Sequence, residues 1–374
     1  MMKIAYVTKG YWGENSPGLI FSYYQARGIA ENNQKITLIM QTSKKSDDEK
    51  NDLNNALNPI DIKLMTNSIG PIRANEIFYK RANDFILSGD YDTVFTRDPG
   101  YLPYLIKLKK NSNKKIFYQS HNFYMDFSKY EYTRSVNRKK FNKYERKYLN
   151  MLDGMMTLNT PQKKLYESYV DIPVTACPPG LNKFSSRSRF ENKEVVYSGS
   201  FQPLKGIELI LDIHKNSLFN FELSLIGGRD AHELSYAKKL ISEKNTNNVN
   251  LKGWIFYNEL ETVLSKSSVG LMMMPDNFYN KFLTAPNKLF DYISMGMPVI
   301  CTDLPSIRDL LPNEHLGVVF VSPGDSSGYI KSIEKLLTDE VYYNTLQQSN
   351  LLLSKDLIWK KQMTKLIQAM KAKK

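Results

Sequence analysis

The sequence predicts an α/β fold in two domains, each built on a parallel sheet covered by helices. Short β-rich runs alternate with segments of helical period in both halves of the 374-residue chain. Between the halves, residues 178–193 are rich in Pro, Gly, Ser and charge, so we expect an interdomain linker there. Hydrophobic residues make up 42% of the chain and charged residues 24%, as in globular proteins large enough for two cores.

The first domain is expected to span 1–183. Helical patterns lie near 19–30 and 73–88, and 42–58 is expected to be a polar loop. A basic amphipathic helix at 357–374 is expected to pack back onto this domain. The predicted strands are 3–8, 36–40, 93–96, 115–119 and 154–158.

The second domain is expected to span 184–356 and repeats the alternation. Its predicted strands are 194–198, 222–226, 248–251, 269–273, 298–301 and 317–321. Ligands of open parallel sheets bind beyond the carboxyl ends of the strands, so the loops that follow these strands are the candidates for a site.

Composition excludes several classes of protein. No apolar run approaches the ~18 residues of a membrane helix, and the apolar core at the start is too short for a signal peptide, so we expect a cytoplasmic protein. The cysteines and histidines are too scattered for a disulfide framework or a metal site. They are Cys177, Cys301, His121, His214, His232 and His315.

Positive charge is concentrated in 107–147, which carries 13 basic and three acidic residues within a chain of net charge +13. The helical pattern at 134–150 places Phe141, Tyr144 and Tyr148 near one face with cations around them. Such a helix lies on an anionic membrane surface or, alternatively, packs its aromatic face into its own domain. Nucleic acid is not an expected partner, because no nucleic-acid motif accompanies the charge.

The segment 285–300 predicts a helix that begins with an anion site. Pro286 suits the first turn and Gly296 ends the helix before a buried strand. Unpaired backbone N–H groups at the helix start bind phosphate, Lys288 adds a charge, and Asp291 accepts the hydroxyls of a ribose. The alternative is a capped surface helix with an ordinary aspartate.

Three further loops follow predicted strands. In 199–206 a glycine stands at each end and Lys205 precedes a helix, which suits a pyrophosphate, although a plain turn has the same composition. Glycines in 226–230 and 251–255 permit close approach of a ligand, and Trp254 either flanks a nucleobase or fills the core.

Taken in order, these loops resemble family 4 of the retaining glycosyltransferases. The matching motifs are Gly199 to Lys205, GlyGlyArg at 227–229, GlyTrpIle at 253–255, ProAsnLysLeuPheAspTyr at 286–292 and GlyMetProValIle at 296–300. The resemblance is clear over 194–312 and rests on fewer positions over 1–183. It implies the GT-B architecture, in which two Rossmann-like domains with parallel sheets face one another across a cleft.

The resemblance implies a donor site in the second domain. Lys205 would bind the donor diphosphate, Asp291 the ribose, and the GlyTrpIle turn would border the base. The implied donor-binding residues are Gly18, Gly199, Ser200, Gly228, Arg229, Trp254, Ile255, Ala285, Pro286, Asn287 and Asp291. Two positions depart from the family pattern, because Leu283 replaces a glutamate and Ser200 replaces an arginine.

The resemblance also assigns residues of the first domain. Gly18 lies where the family has its glycine loop near the donor sugar, and His121 would reach the transferring sugar. A hydrogen-bonded structural histidine is the alternative for His121. Arg97 and Asp98 also follow a predicted strand and are expected on the acceptor side.

The implied function is retaining transfer from a nucleotide-sugar donor to a glycan or lipid-linked acceptor, in bacterial cell-surface polysaccharide or lipopolysaccharide synthesis. Lys205, His121 and Lys288 are the catalytic candidates, and we expect neither a metal nor a cofactor. Peripheral attachment to the cytoplasmic face of the inner membrane through 107–147 fits the charge. Two alternatives are a nucleotide-sugar epimerase of the same architecture and a non-enzymatic nucleic-acid or membrane-surface binder.

Overall fold

The computed structural model describes residues 1–14, 16–42, 60–130, 136–203 and 205–372, with the side chains of 136 and 137 excepted. The chain divides into two compact units. The first unit comprises Met1–Gly180, Phe282–Ala285 and Trp359–Lys374, and the second comprises Leu181–Lys281 and Pro286–Ile358. The loop expected at 42–58 lies, from 43 onward, outside the described residues.

The first unit contains a seven-stranded parallel sheet. Its strands are β1 (Lys3–Tyr11), β2 (Lys35–Gln41), β3 (Asp61–Met65), β6 (Thr93–Thr96), β7 (Lys115–Gln119), β8 (Gly154–Thr157) and β9 (Val174–Ala176), in the order β3-β2-β1-β6-β7-β8-β9. A short antiparallel hairpin is formed by β4 (Ser68–Ile69) and β5 (Ile72–Arg73). All five predicted strands are confirmed. The edge strands β3 and β9 were not predicted, because β3 is partly exposed and β9 has three residues.

Helices cover this sheet. They are α1 (Pro17–Ala30), α2 (Asn75–Ser88), α3 (Leu102–Lys110), α4 (Val136–Tyr148), α5 (Thr160–Glu167) and α14 (Trp359–Lys371). The last helix, α14, lies against α1, where a Cβ at Gly28 would be 2.9 Å from the Trp359 carbonyl and from Met363. This close approach needs glycine at position 28.

The second unit contains a six-stranded parallel sheet that confirms the predicted alternation. Its strands are β10 (Glu194–Gly199), β11 (Glu222–Gly227), β12 (Val249–Gly253), β13 (Val269–Met272), β14 (Val299–Thr302) and β15 (Val318–Val321), in the order β12-β11-β10-β13-β14-β15. Its helices are α6 (Ile207–Asn216), α7 (Ala231–Lys244), α8 (Tyr257–Leu264), α9 (Phe278–Phe282), α10 (Asn287–Ser294), α11 (Pro305–Arg308), α12 (Ser326–Thr338) and α13 (Glu340–Ser354).

The segment expected to be a linker, 178–193, is packed within the second unit from Leu181 onward. Ser188 is 2% exposed and its hydroxyl donates to the carbonyl of Ser267 at 2.7 Å. Leu181 N–H donates to the Leu357 carbonyl at 2.8 Å. Its Pro, Ser and Gly content therefore reflects an irregular packed segment rather than a solvated connection.

Helix α4 is the basic helix of the 107–147 region, and its aromatic face packs within the first unit. Phe141 is half-buried, with its ring centroid 5.2 Å from that of Tyr124, and Tyr144 and Tyr148 are half-buried neighbours at 5.9 Å. This is the packing that the alternative for 134–150 predicted. Among the described residues, every helix is too short or too polar to cross a bilayer.

Glu145 is fully buried on the inner face of α4. Its carboxylate accepts hydrogen bonds from the Tyr166 hydroxyl at 2.8 Å and from the Tyr124 backbone N–H at 2.9 Å. Burial raises the pKa of Glu145 to about 8, although these hydrogen bonds oppose the shift. Glu145 thus joins the basic helix to the loop that follows β7.

We expect Glu145→Gln to flatten the pH dependence of stability. The pKa of Glu145 is about 8 in the folded chain and 4.5 ordinarily, so the folded state keeps a proton that the unfolded state releases between these values. The free energy of unfolding of the wild type should fall across this range by roughly a few kcal/mol more than that of Glu145→Gln. Urea unfolding at pH 5 and pH 8 measures this, with exposed Glu167→Gln as control. An equal fall in wild type and Glu145→Gln would contradict the assignment.

Candidate functional site

Strands β10 and β11 of the second unit end at two glycines that touch. Gly199 and Gly227 are partners in the strand register. A Cβ at Gly227 would lie 1.8 Å from the carbonyl oxygen of Gly199, so position 227 has room only for glycine. The loops that leave these strands therefore begin side by side at the carboxyl edge of the sheet.

The loop 199–206 is held by two side chains that were not predicted. The Tyr197 hydroxyl lies 3.2 Å from the carbonyl oxygen of Ser200 and 3.3 Å from that of Lys205, so it ties the two ends of the loop together. The Glu233 carboxylate, in the first turn of α7, accepts from the Ser200 hydroxyl at 3.1 Å and from the Phe201 N–H at 2.9 Å. The side chain of Lys205 is exposed at the end of this fixed loop.

Helix α10 begins at Asn287, and Pro286 precedes it as the N-cap residue, one position earlier than predicted. No side chain caps this helix start, unlike in the capped helix that was the alternative. The Leu289 N–H donates to the Pro286 carbonyl at 3.1 Å, which leaves the N–H groups of Asn287 and Lys288 for an anion. Gly296, with φ of +66°, follows the helix as predicted. The helix start therefore has the chemistry of an anion site.

Lys288 lies over the ring of Tyr197, with Nζ 4.1 Å from the ring centroid. A Cβ at Gly199 would be 3.2 Å from the same Nζ. Burial, and to a smaller degree the charge of Lys205, lowers the pKa of Lys288 to about 8. The structure thus brings Lys288, Gly199 and the loop of Lys205 together.

Asp291 follows Lys288 by three residues, on the same side of α10. Burial raises the pKa of Asp291 to about 7, against a hydrogen bond of 3.1 Å that the Tyr257 hydroxyl donates to it. Asn182 in turn donates to the Tyr257 hydroxyl at 2.8 Å. Asp291 is therefore not the ordinary surface aspartate of the alternative, and Tyr257 is a partner that the sequence did not reveal.

Four other predicted donor residues lie along the same sheet edge, whereas Ala285 belongs to the first unit. Gly228, with φ of +73°, and exposed Arg229 follow β11, and Trp254 and Ile255 follow the outer strand β12. Trp254 is 41% exposed, so it is not core filler. Ala285 packs against the core of the first unit.

In the first unit, Arg97 and His121 come together after the neighbouring strands β6 and β7. Arg97 Nη1 donates to the Gly18 carbonyl and to the Ser22 hydroxyl, both at 3.0 Å, and Nη2 lies 2.8 Å from His121 Nδ1. The guanidinium also stacks on Phe21 at 3.8 Å. Burial, followed by the charge of Arg97, holds the pKa of His121 well below its ordinary value, so His121 is neutral.

Asp98 turns into the first unit, unlike its neighbour Arg97. It is 5% exposed, accepts from the Gly100 N–H at 2.9 Å and is hydrogen-bonded to the Tyr79 hydroxyl. These contacts cap a turn after β6. Its carboxylate is thus occupied within the unit, whereas the sequence predicted a contact on the acceptor side.

The family resemblance implies that Gly18 borders the donor sugar, and on that assignment we expect Gly18→Ala to lower kcat/KM for the donor by about tenfold or more, as misplacement at a reacting centre does, without lowering the melting temperature. Gly18 is exposed in the first turn of α1, and a Cβ there would meet no atom within 4 Å. The folded chain itself therefore has room for alanine, and a loss of activity would report crowding of a substrate. Unchanged kinetics would show that Gly18 does not border the substrate.

Within the described part of the chain, no three His, Cys, Asp or Glu side chains gather as the ligands of a metal ion would. Positive charge at the second-unit site is supplied by Lys205, Lys288 and the start of α10.

Parts of this chain are similar in sequence to known proteins. Residues 192–339 match the family Glycosyl transferases group 1. The chitobiosyldiphosphodolichol beta-mannosyltransferase of Candida albicans is 22% identical over 209 residues, which cover 51% of this chain. The match covers 44% of that relative, so the chain spans less than half the length of the curated protein it matches.

Solved structures share the fold over the full length. The sucrose-phosphate synthase from Thermosynechococcus elongatus aligns with a TM-score of 0.76 at 15% identity, over 98% of both chains. Anabaena HepE in complex with UDP-glucose aligns with a TM-score of 0.74 at 11% identity, over 99% of this chain and 100% of that one. Residues 192–339 therefore match Glycosyl transferases group 1, and the chain has the GT-B fold.

Proposed function

We propose that this chain is a retaining glycosyltransferase that moves a sugar from a nucleotide-sugar donor to a glycan or lipid-linked acceptor. The observation that carries the proposal is the meeting of Lys205, Lys288 and the uncapped start of α10 beyond β10. It lies inside the segment that matches Glycosyl transferases group 1.

Such an arrangement suits a departing diphosphate. Transfer builds negative charge on the leaving group, and fixed N–H groups and ammonium groups stabilise that charge without rearranging. In the proposed reaction these groups replace a metal ion. The bond from the anomeric carbon to the diphosphate breaks, and the acceptor oxygen bonds to that carbon from the same side while a diphosphate oxygen takes its proton.

The remaining residues bind the donor in this proposal. Asp291, held by Tyr257, accepts the ribose hydroxyls, and Trp254 borders the base. His121 is neutral, and Arg97 contacts both of its ring nitrogens and so fixes its place; in the proposal a sugar hydroxyl replaces one of these contacts. Anabaena HepE was solved with UDP-glucose, which makes a UDP-sugar the first donor to test.

Thermal unfolding with UDP-glucose, GDP-mannose and ADP-glucose tests donor binding. A bound donor at 100 times its dissociation constant adds about 2.7 kcal/mol to the stability, and Lys205→Ala with Lys288→Ala should abolish that gain. Lys331→Ala, which removes an exposed lysine on α12, is the matched control. No stabilisation by any nucleotide sugar would contradict the proposal.

Product analysis then identifies the reaction. Turnover of donor without acceptor to a new nucleotide sugar would indicate the epimerase alternative. With a glycan acceptor, the proton coupling constant of the transferred anomeric centre distinguishes retention from inversion. An inverted product would overturn the retaining part of the proposal and leave the transferase part standing.

We also propose that α4 brings the enzyme to an anionic membrane surface, where lipid-linked acceptors of bacterial surface glycans would be found. Its outer residues Lys139, Lys143 and Arg146 are exposed, while the aromatic residues pack inward. Sedimentation with phosphatidylglycerol vesicles should be lost in Lys139→Glu/Lys143→Glu/Arg146→Glu. It should persist in Lys238→Glu/Lys239→Glu/Lys331→Glu, whose lysines are exposed in the second unit. Equal vesicle binding by both triple variants would contradict the proposal that α4 binds the membrane.

A further inference from the structure

Tyr197 contacts both lysine-bearing segments of the site through different parts of one side chain. It is 2% exposed at the end of β10. Its hydroxyl lies 3.2 Å from the Ser200 carbonyl and 3.3 Å from the Lys205 carbonyl, so it shares one proton between the two ends of the 199–206 loop. Losing this hydroxyl would free the loop that presents the Lys205 ammonium.

The ring of Tyr197 contacts the other lysine, Lys288. Lys288 Nζ lies 4.1 Å from the ring centroid, well within the range of a cation–π contact. The other groups that act electrostatically on Lys288 are the Lys205 ammonium and the Cys301 thiol. Gly199 completes the arrangement, because a Cβ there would lie 3.0 Å from the Tyr197 hydroxyl and 3.2 Å from Lys288 Nζ.

We infer that Tyr197 is a positioning residue for a diphosphate site: its hydroxyl fixes the backbone of the loop that carries Lys205, and its ring holds the Lys288 ammonium beside that loop. This inference deepens the proposed function and rests on it. The donor then meets two cations already in place, so less ordering is needed at binding. A ring that favours the ammonium also opposes the effect of burial on Lys288, which keeps the cation available near neutral pH.

The two parts of the side chain can be tested separately. Tyr197→Phe removes the hydroxyl and keeps the ring. Incorporation of 4-fluoro-, 3,5-difluoro- and 3,4,5-trifluorophenylalanine at position 197 then weakens the ring's negative face while changing its size little. The same series at Tyr343, a buried tyrosine of the second unit whose hydroxyl lies 2.7 Å from the Ser188 hydroxyl, is the control.

The readout for the ring is the apparent pKa of Lys288, measured by pH-dependent labelling of amines followed by peptide mass spectrometry. We expect this pKa to fall stepwise with fluorination, by about 0.5 to 1 unit over the series at 197, and to stay constant over the series at 343. A pKa of Lys288 that is the same throughout the series at 197 would overturn the role of the ring.

The readout for the hydroxyl is amide hydrogen exchange in the peptide that covers 201–206. We expect faster exchange in Tyr197→Phe than in wild type, and a KM for UDP-glucose raised about tenfold with little change in kcat. Unchanged exchange would overturn the role of the hydroxyl. Both structural readouts require no substrate, so they stand even if no nucleotide sugar binds and the proposed function fails.

Discussion

Lys288→Ala is expected to lower kcat for sugar transfer by about 100- to 1,000-fold, the usual cost of removing one group that stabilises a developing oxyanion. Lys288 is the cation beside the uncapped start of α10, and its ammonium lies against Tyr197. Lys205→Ala should lower kcat by more than about tenfold but by less than Lys288→Ala does. The effect is smaller because Lys205 is exposed and water screens its charge better. Single-turnover measurement with saturating donor separates this step from binding.

Controls decide whether the loss at Lys288 is electrostatic. Lys288→Arg keeps a positive charge and should recover much of the rate, whereas Lys331→Ala removes an exposed lysine on α12 and should leave kcat unchanged. A kcat within about tenfold of wild type in Lys288→Ala would place the leaving-group charge elsewhere.

The second large effect is expected in the pH profile of kcat/KM, which should be bell-shaped with limbs near pH 7 and pH 8. Asp291, with a pKa of about 7, is protonated below that pH and loses its capacity to accept both ribose hydroxyls. Lys288, with a pKa of about 8, loses its charge above that pH. Each limb should fall about tenfold per pH unit, because kcat/KM reports the free enzyme.

Two substitutions assign the limbs of this profile. Asp291→Asn should have a lower kcat/KM and no acid limb, because an amide does not titrate. Lys288→Arg should move the alkaline limb above the measurable range, since a guanidinium stays protonated. Persistence of the acid limb in Asp291→Asn would assign it to another group.

Inner strands such as β6, β13 and β14 were predictable because each is a short apolar run, buried on both faces and bounded by polar loops. Edge strand β3 lacks that signal, since its residues alternate between exposed and half-buried positions. The sequence placed Arg97 and His121 after two predicted strands but did not predict that they meet, because it did not show that β6 and β7 are neighbours in the sheet.

The residues that hold the site in place were not predictable. Tyr257 bonds Asp291 across 34 positions of sequence, Glu233 bonds Ser200 across 33, and Glu145 bonds Tyr124 across 21. Such pairs depend on the packing of helices on the sheet, which no local period specifies. Tyr197 was visible only as an apolar position of a strand, although its hydroxyl and ring make its most informative contacts.

The packing of α14 on α1 has a consequence for biosynthesis. The core of the first unit includes Trp359, Met363, Leu366 and Met370, each buried. These side chains leave the ribosome after every residue of the second unit. The α1 surface around Gly28 therefore stays uncovered until α14 (Trp359–Lys371) has been synthesised. A nascent chain stalled before residue 359 should bind chaperones through that surface, while its second unit is already able to fold.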